Sequence, residues 1–370
     1  VAAPLRALFY NEGAVGTGVL GHAAMAQTLS ASTAARGDVQ ARHIGPGPEG
    51  PLARLVEHPV PGLFGLSLDL QPTRWHLVQS ERARLAIRRA LRDGPADVLL
   101  VHTHVSALLL APIMRRWPTF LSVDALIASY TGLGVWQRVR PWTNASLALS
   151  LFLERRALRR AHTVLAWTQW AADDAARAAP AARVQVWNPG VDITRFRPAA
   201  KTARSATRIL FVGARFDAKG GADLLAALGS DLGSRFELDV VSQEEPPAAR
   251  GVRWHRLRPG DDRLVALYQQ ADLFCLPSYV DAAPNSVVEA LASGTTVVSS
   301  DVGGVPDLVG DAGVVVTRGD LRALRETLLA LAADPDRRER LARAGRARAE
   351  EHFDSRRQTD QLLDLLRAAR

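Results

Sequence analysis

Short apolar runs such as VLLVH, LFCL and TVVS lack the polar alternation of a strand with one wet face, and a helix-period segment follows almost every one. Continuous apolar strands separated by helices belong to sheets covered on both faces, which means parallel α/β architecture. Strands are predicted in the first half at 5–10, 98–102, 119–123, 164–166 and 184–187. The second half repeats the rhythm at 209–212, 238–241, 273–276, 296–299 and 314–316. Helices are expected between them, including 22–31, 80–93, 105–116, 147–160, 222–228 and 286–293. The expected fold is therefore α/β, with two doubly wound Rossmann-like domains facing a central cleft, and ligands beyond the carboxyl ends of the strands.

A length of 370 residues fits two domains at a prior of roughly 150 residues each. The segment WNPGVDITRFRP (187–198) carries turn formers and a stop, and marks the joint. The expected division is 1–187, then 188–353, with a helix in 354–370 crossing back to the first domain. Residues 45–72, rich in Gly and Pro, read as loop.

Composition excludes several classes. Hydrophobic residues make up 47% and charged residues 23%, so the chain is not disordered or fibrous. No uncharged apolar stretch reaches the length of a membrane-spanning helix. A single cysteine, Cys275, rules out an internal disulfide and a Cys-rich metal cluster. The expected compartment is the cytoplasm. The formal net charge of +8 is unevenly placed: residues 1–190 carry 20 Arg against 12 acids, whereas 191–370 balance 26 bases with 26 acids. A basic half suits an anionic partner, or reflects arginine-rich composition. Within 135–161, Arg138, Arg140, Arg155, Arg156, Arg159 and Arg160 face one acid, Glu154, with Trp136, Trp142 and Phe152 interleaved. Two readings stand: peripheral attachment to the inner face of a membrane, or a helix packed on its own domain with a solvated Arg face. Nucleic acid is not expected, because no binding motif accompanies the charge.

Two stretches carry chemistry. In ILFVGARFDAKGG (209–221) a buried strand leads to Gly213, then Arg215 and Lys219, then a helix start. A guanidinium fork, an ammonium and a helix N-terminus together suit a pyrophosphate. In SYVDAAPNSVVEALASGTTVVSSDVGGVPDLV (278–309), Asp281 and Glu289 stand eight apart. Pro284 suits a first helical turn, and Asn285 or Ser286 can cap it. Backbone N–H groups near Ser286 and Val287 are then candidates for phosphate. Glu289 can accept two hydrogen bonds from a ribose diol, and Asp281 can contact sugar hydroxyls.

Taken in order, these segments resemble the family 4 glycosyltransferases of GT-B fold. That family's donor domain carries a strand–Gly–Arg–x3–Lys–Gly element, then E-x7-E, EA-x-A-x-G-x-PVV and a GG-x-x-E loop. Here the second element is Asp281-x7-Glu289, and Asp307 stands where Glu is usual. The hinge pattern NxGVD-x3-F-x-P matches Asn188, Gly190, Val191, Asp192, Phe196 and Pro198. The resemblance covers about 190 residues well, from Asn188 onward. It implies a retaining sugar transfer from a nucleotide-diphosphate sugar, used as co-substrate with no further cofactor, to an acceptor hydroxyl. Arg215 and Lys219 would hold the diphosphate, Glu289 the ribose, and Asp281 would sit near the donor sugar.

The first half offers weaker signals. Gly16, Gly18 and Gly21 spell G-x-G-x-x-G, but five residues separate Tyr10 from Gly16, which is poor for a dinucleotide fingerprint. The resemblance gives Gly16 and Gly18 another role, close backbone approach to the donor phosphate. His102 and His104 pair at i, i+2 without a third ligand at usual spacing. Asp124 ends a strand where many related transferases have His, and is a candidate to orient the acceptor or the sugar. With no DxD-like acidic pair at a strand end, the two cations replace a metal and activity is expected to be metal-independent. The basic half makes a lipid-linked or phosphorylated acceptor a candidate. Rival readings are a nucleotide-sugar epimerase of the same fold, a non-catalytic nucleotide-sugar-binding protein and a nicotinamide oxidoreductase.

Overall fold

The apolar runs become strands buried on both faces: Val98–His102, Thr119–Val123, Leu273–Leu276 and Thr296–Ser300 have no exposed position. The computed structural model describes residues 3–12, 20–34, 36–47, 71–133, 141–258 and 260–370. Gly16, Gly18, Trp136, Arg138 and Arg140 lie outside the described residues. The chain divides into two compact units, one of Val1–Asn188 with Thr359–Arg370, the other of Pro189–Gln358.

The first unit holds β1 (Leu5–Asn11), β2 (Val39–Ile44), β3 (Val98–His102), β4 (Thr119–Val123), β5 (Thr163–Ala166) and β6 (Val184–Val186). All pair in parallel, in the order β2-β1-β3-β4-β5-β6. The order reverses beside β1, so the crevice beyond Asn11 and His102 is the switch point where such sheets take ligands. The strand β2 escaped the sequence reading, because VQARHI alternates apolar and polar residues at a sheet edge. The expected helix at 105–116 is two short helices, His104–Ala107 and Ala111–Met114. Pro112 cannot donate an amide and starts the second one afresh, while Ser80 Oγ accepts the Leu109 amide at 2.8 Å across the break. Part of the expected loop at 45–72 is helical: Gln71–Asp93 begins there, with Pro72 in its first turn. Helices Leu20–Ala34, Pro141–Arg160 and Gln169–Ala178 complete the cover. The apolar faces of Gln71–Asp93, Pro141–Arg160 and Gln169–Ala178 share one core cluster with Leu99, Val101, Leu121, Val123 and Val164, all at most 1% exposed.

The second unit holds β7 (Thr207–Val212), β8 (Phe236–Val241), β9 (Val252–His255), β10 (Leu273–Leu276), β11 (Thr296–Ser300) and β12 (Gly313–Val316), in the order β12-β11-β10-β7-β8-β9. Counted from β7, this is the doubly wound dinucleotide order, and its switch point lies between β7 and β10. The single cysteine, Cys275, is a buried core residue of β10. Two elements went unread in the sequence: β9, a partly exposed edge strand, and the helix Val305–Val309, only five residues long. Among the described residues, no helix is long and apolar enough to cross a membrane.

Candidate active site

In the second unit the loops after β7 and β10 flank the switch point, and the two sequence stretches singled out for chemistry are these loops. After β7 the chain turns at Gly213, where an added Cβ would come within 2.9 Å of the Lys219 stem. Glu244 holds the next turn by accepting the Phe216 amide at 2.7 Å. Lys219 closes the loop, its amide donating to the Arg215 carbonyl at 3.1 Å. Gly220 follows at φ 78°, pressed against the Pro277 carbonyl so that any Cβ would collide with it. That contact ties the β7 loop to the β10 loop, and the helix Gly221–Leu228 starts from it.

Arg215 and Lys219 have different surroundings. The Lys219 ammonium donates to Asp281 Oδ2 at 2.6 Å and to the Val280 carbonyl at 3.0 Å. The Arg215 side chain is exposed and its guanidinium makes no hydrogen bond or ion pair among the described residues. The lysine is therefore pre-positioned and half-compensated, whereas the arginine can swing. Asp281 is itself braced by the loop after β11, where Gly303 at φ 55° packs against the Asp281 carbonyl and the Gly304 amide donates to Ala282 at 2.7 Å.

The helix after β10 spans Asn285–Ala292. Pro284, expected inside the first turn, is instead its N-cap, extended at ψ 115°, and no side chain caps the helix. The proline carbonyl accepts the Val287 amide at 3.1 Å, so that amide is already engaged. Asn285 and Ser286 form the first turn, both partly exposed. Glu289 sits one turn in, its Oε2 accepting the Tyr268 hydroxyl at 2.8 Å. Burial pushes the Glu289 carboxyl up to about 7, against the opposing pull of the Tyr268 bond and of Arg195. Sequence reading missed Tyr268 and Glu244, because each reaches its partner across more than 20 residues and stands in no motif.

The first unit gathers a second polar cluster at the carboxyl ends of β1, β3 and β4. Asp124 Oδ1 takes the Ala125 amide at 2.9 Å, and Oδ2 takes the Tyr130 hydroxyl at 3.0 Å with His22 Nε2 at 3.4 Å. Burial alone would raise the Asp124 carboxyl, but the His22 hydrogen bond and the surrounding imidazoles hold it well below the usual carboxylate range. For His22, burial opposes charging, yet Asp124 and Glu12 win and its pKa rises. The contact favours the charged form of both groups. The His22 ring meets His102 edge-on at 4.4 Å, and His102 stacks on Trp167 at 5.1 Å. His104 turns instead toward Glu154, 3.8 Å away. The two histidines of the i, i+2 pair thus serve different neighbours, and burial keeps His104 neutral, its pKa pushed down to about 4. Among the described residues no group of three or more His, Cys, Asp or Glu is placed to hold a metal ion. Glu12, unread in the sequence, accepts the Thr103 hydroxyl at 3.1 Å just beyond β1.

Family models match both units: one described as Glycosyl transferases group 1 over residues 206–334, and one described as Glycosyltransferase Family 4 over residues 21–195. Among curated proteins, an alpha-maltose-1-phosphate synthase of Mycolicibacterium smegmatis is 28% identical over 360 residues, spanning 84% of this chain and 87% of that protein. Among solved structures, the sucrose-phosphate synthase of Thermosynechococcus elongatus superposes with a TM-score of 0.77 at 17% identity, covering 98% of each chain. Anabaena Alr3699/HepE, solved in complex with UDP-glucose, gives a TM-score of 0.67 at 16% identity over 98% of this chain and all of that one. At these identities the two structures speak for the fold, GT-B, with its two Rossmann-like units.

Proposed function

From the premise that the chain belongs to the family 4 glycosyltransferases, we propose that it moves a hexosyl group from a nucleoside-diphosphate sugar to an acceptor hydroxyl with retention of anomeric configuration. The observation that carries the donor assignment is the Lys219–Asp281 contact at the β7/β10 switch point, where a cation, a helix start and a carboxylate converge. The diphosphate is expected to take the ammonium of Lys219 and draw in the exposed Arg215, supported by the first turn at Asn285 and Ser286. Glu289 accepts the ribose hydroxyls, and Asp281, partly released from Lys219, meets the sugar. Gly16 and Gly18 are assigned to the donor phosphate by the family resemblance.

As the anomeric C–O bond to the diphosphate breaks, negative charge grows on the leaving oxygen, where fixed cations lower the barrier. The new bond forms from the acceptor oxygen, and its proton passes to the departing phosphate on the same face. No protein nucleophile is required on this route. In the first unit Asp124, held ionised by His22, is assigned to orienting the acceptor hydroxyl. Two relatives work on phosphorylated sugars or polyols by name, alpha-maltose-1-phosphate synthase and D-inositol 3-phosphate glycosyltransferase. Together with the basic first half, this favours a phosphorylated acceptor. We further propose that no metal ion or cofactor takes part, and that turnover survives a chelator.

Lys219→Ala is the deciding experiment. It removes a cation facing a dianion, and turnover should fall at least about a hundredfold with the circular dichroism spectrum unchanged. Turnover near that of the parent chain would overturn the donor assignment.

A further inference from the structure

The first unit carries the whole charge excess of the chain, and part of it converges on one hollow. A cavity of 390 Å³ is lined by Arg88, Arg92, Arg115 and Arg116 with Trp117 and Ile113, and no carboxylate lines it. It lies where the chain enters β3 and β4, at the opposite end of the strands from His102 and Asp124. The donor and acceptor roles assigned above do not use it.

All four guanidiniums are exposed, and none has an ion pair or hydrogen bond among the described residues. Arginines elsewhere in this unit do find carboxylates: Arg6 pairs with Asp97, Arg84 with Glu81 and Arg177 with Asp174. A bland account is that Arg92, in the last turn of the helix Gln71–Asp93, complements the helix dipole. A helix end carries roughly half a negative charge, which one arginine more than offsets. Three positive charges are left over. Such a concentration is tolerated when water or an anion answers it. The cavity volume falls within the rough 300–1,000 Å³ range of small-molecule pockets. Its guanidinium forks match phosphate oxygens two at a time, and Trp117 and Ile113 offer an apolar wall beside them.

We propose that this pocket binds a phosphate-bearing ligand with an apolar portion, either a free phosphorylated compound or the headgroup of an anionic lipid. The first arm of the test is calorimetry with inorganic pyrophosphate. It uses the full chain carrying Lys219→Ala, so that the donor site contributes little, with and without Arg92→Gln and Arg115→Gln. The second arm is co-sedimentation with phosphatidylcholine vesicles, with and without phosphatidylglycerol. The exposed substitutions should leave the thermal unfolding midpoint unchanged. A loss of at least about tenfold in pyrophosphate affinity identifies a soluble phosphate site. Loss confined to the phosphatidylglycerol vesicles identifies a headgroup site. Replacing the same two residues by Lys should retain part of the binding, because charge stays and the fork is lost. The proposal is overturned if the parent chain binds neither probe, or if the Gln substitutions change neither.

Discussion

Glu154 is the one acid in a segment otherwise rich in arginine, and the fold spends it indoors. Its side chain is 2% exposed and accepts the Ile127 amide at 2.9 Å, anchoring the first turn of the helix Ile127–Gly132. Burial pushes its pKa up to about 8 from 4.5. Between those values the folded chain holds a proton that the unfolded chain has released, so stability falls as pH rises and levels off above about 8. Glu154→Gln keeps an acceptor for Ile127 and removes the titration. The slope of unfolding free energy across that interval, at most about 1.4 kcal/mol per pH unit, should flatten in the variant when urea melts are run at several pH values. Glu289 makes the matching case for binding. Ionised, it accepts two hydroxyl donors best, so on the proposed ribose assignment nucleoside-diphosphate affinity should climb as pH passes upward through about 7. In Glu289→Gln that climb should vanish from calorimetric titrations.

At the scale of elements, the loops after β7 and β10 are positioned by backbone contact more than by side chains. Gly220 is the joint: its φ of 78° and its contact with the Pro277 carbonyl leave no room for a Cβ. Gly220→Ala should cost at least about 2 kcal/mol in denaturant unfolding, from left-handed strain plus the collision. Activity should drop as well, because Lys219 is the preceding residue. The loop after β7 was legible in the sequence through its order, since a buried strand, a glycine, two cations and a helix start are contiguous in the chain. The break at Leu109 was less legible. Its cause is the Ser80 hydroxyl from another helix together with Pro112. Of the four edge strands, β6 and β12 were read and β2 and β9 were missed, because VQARHI and VRWH break their apolar runs with charged and polar residues.

For the whole molecule, the last residues matter out of proportion to their number. Thr359–Arg370 belongs to the first unit although the chain leaves that unit at Asn188. There Asp360 pairs with Arg36, and Arg367 pairs with Asp38. Leu362, Leu363 and Leu366 are fully buried. A chain ending at Gln358 loses three leucines worth about 1.5–3 kcal/mol each. Its first unit should unfold at lower urea than the second, seen as a biphasic melt where the intact chain gives a later first transition.

Apolar continuity in the strands determined a pair of parallel sheets without any structure, because burial on both faces leaves no other use for such runs. The spacing of Arg215, Lys219, Asp281 and Glu289 along the chain likewise marked out the two loops to which the donor site is assigned. Only the fold decided the partners. That Lys219 meets Asp281, Glu289 meets Tyr268 and Asp124 meets His22 follows from strand order and side-chain burial. Pairings across 21 to 102 residues depend on which strands lie side by side, and local pattern holds no record of that adjacency.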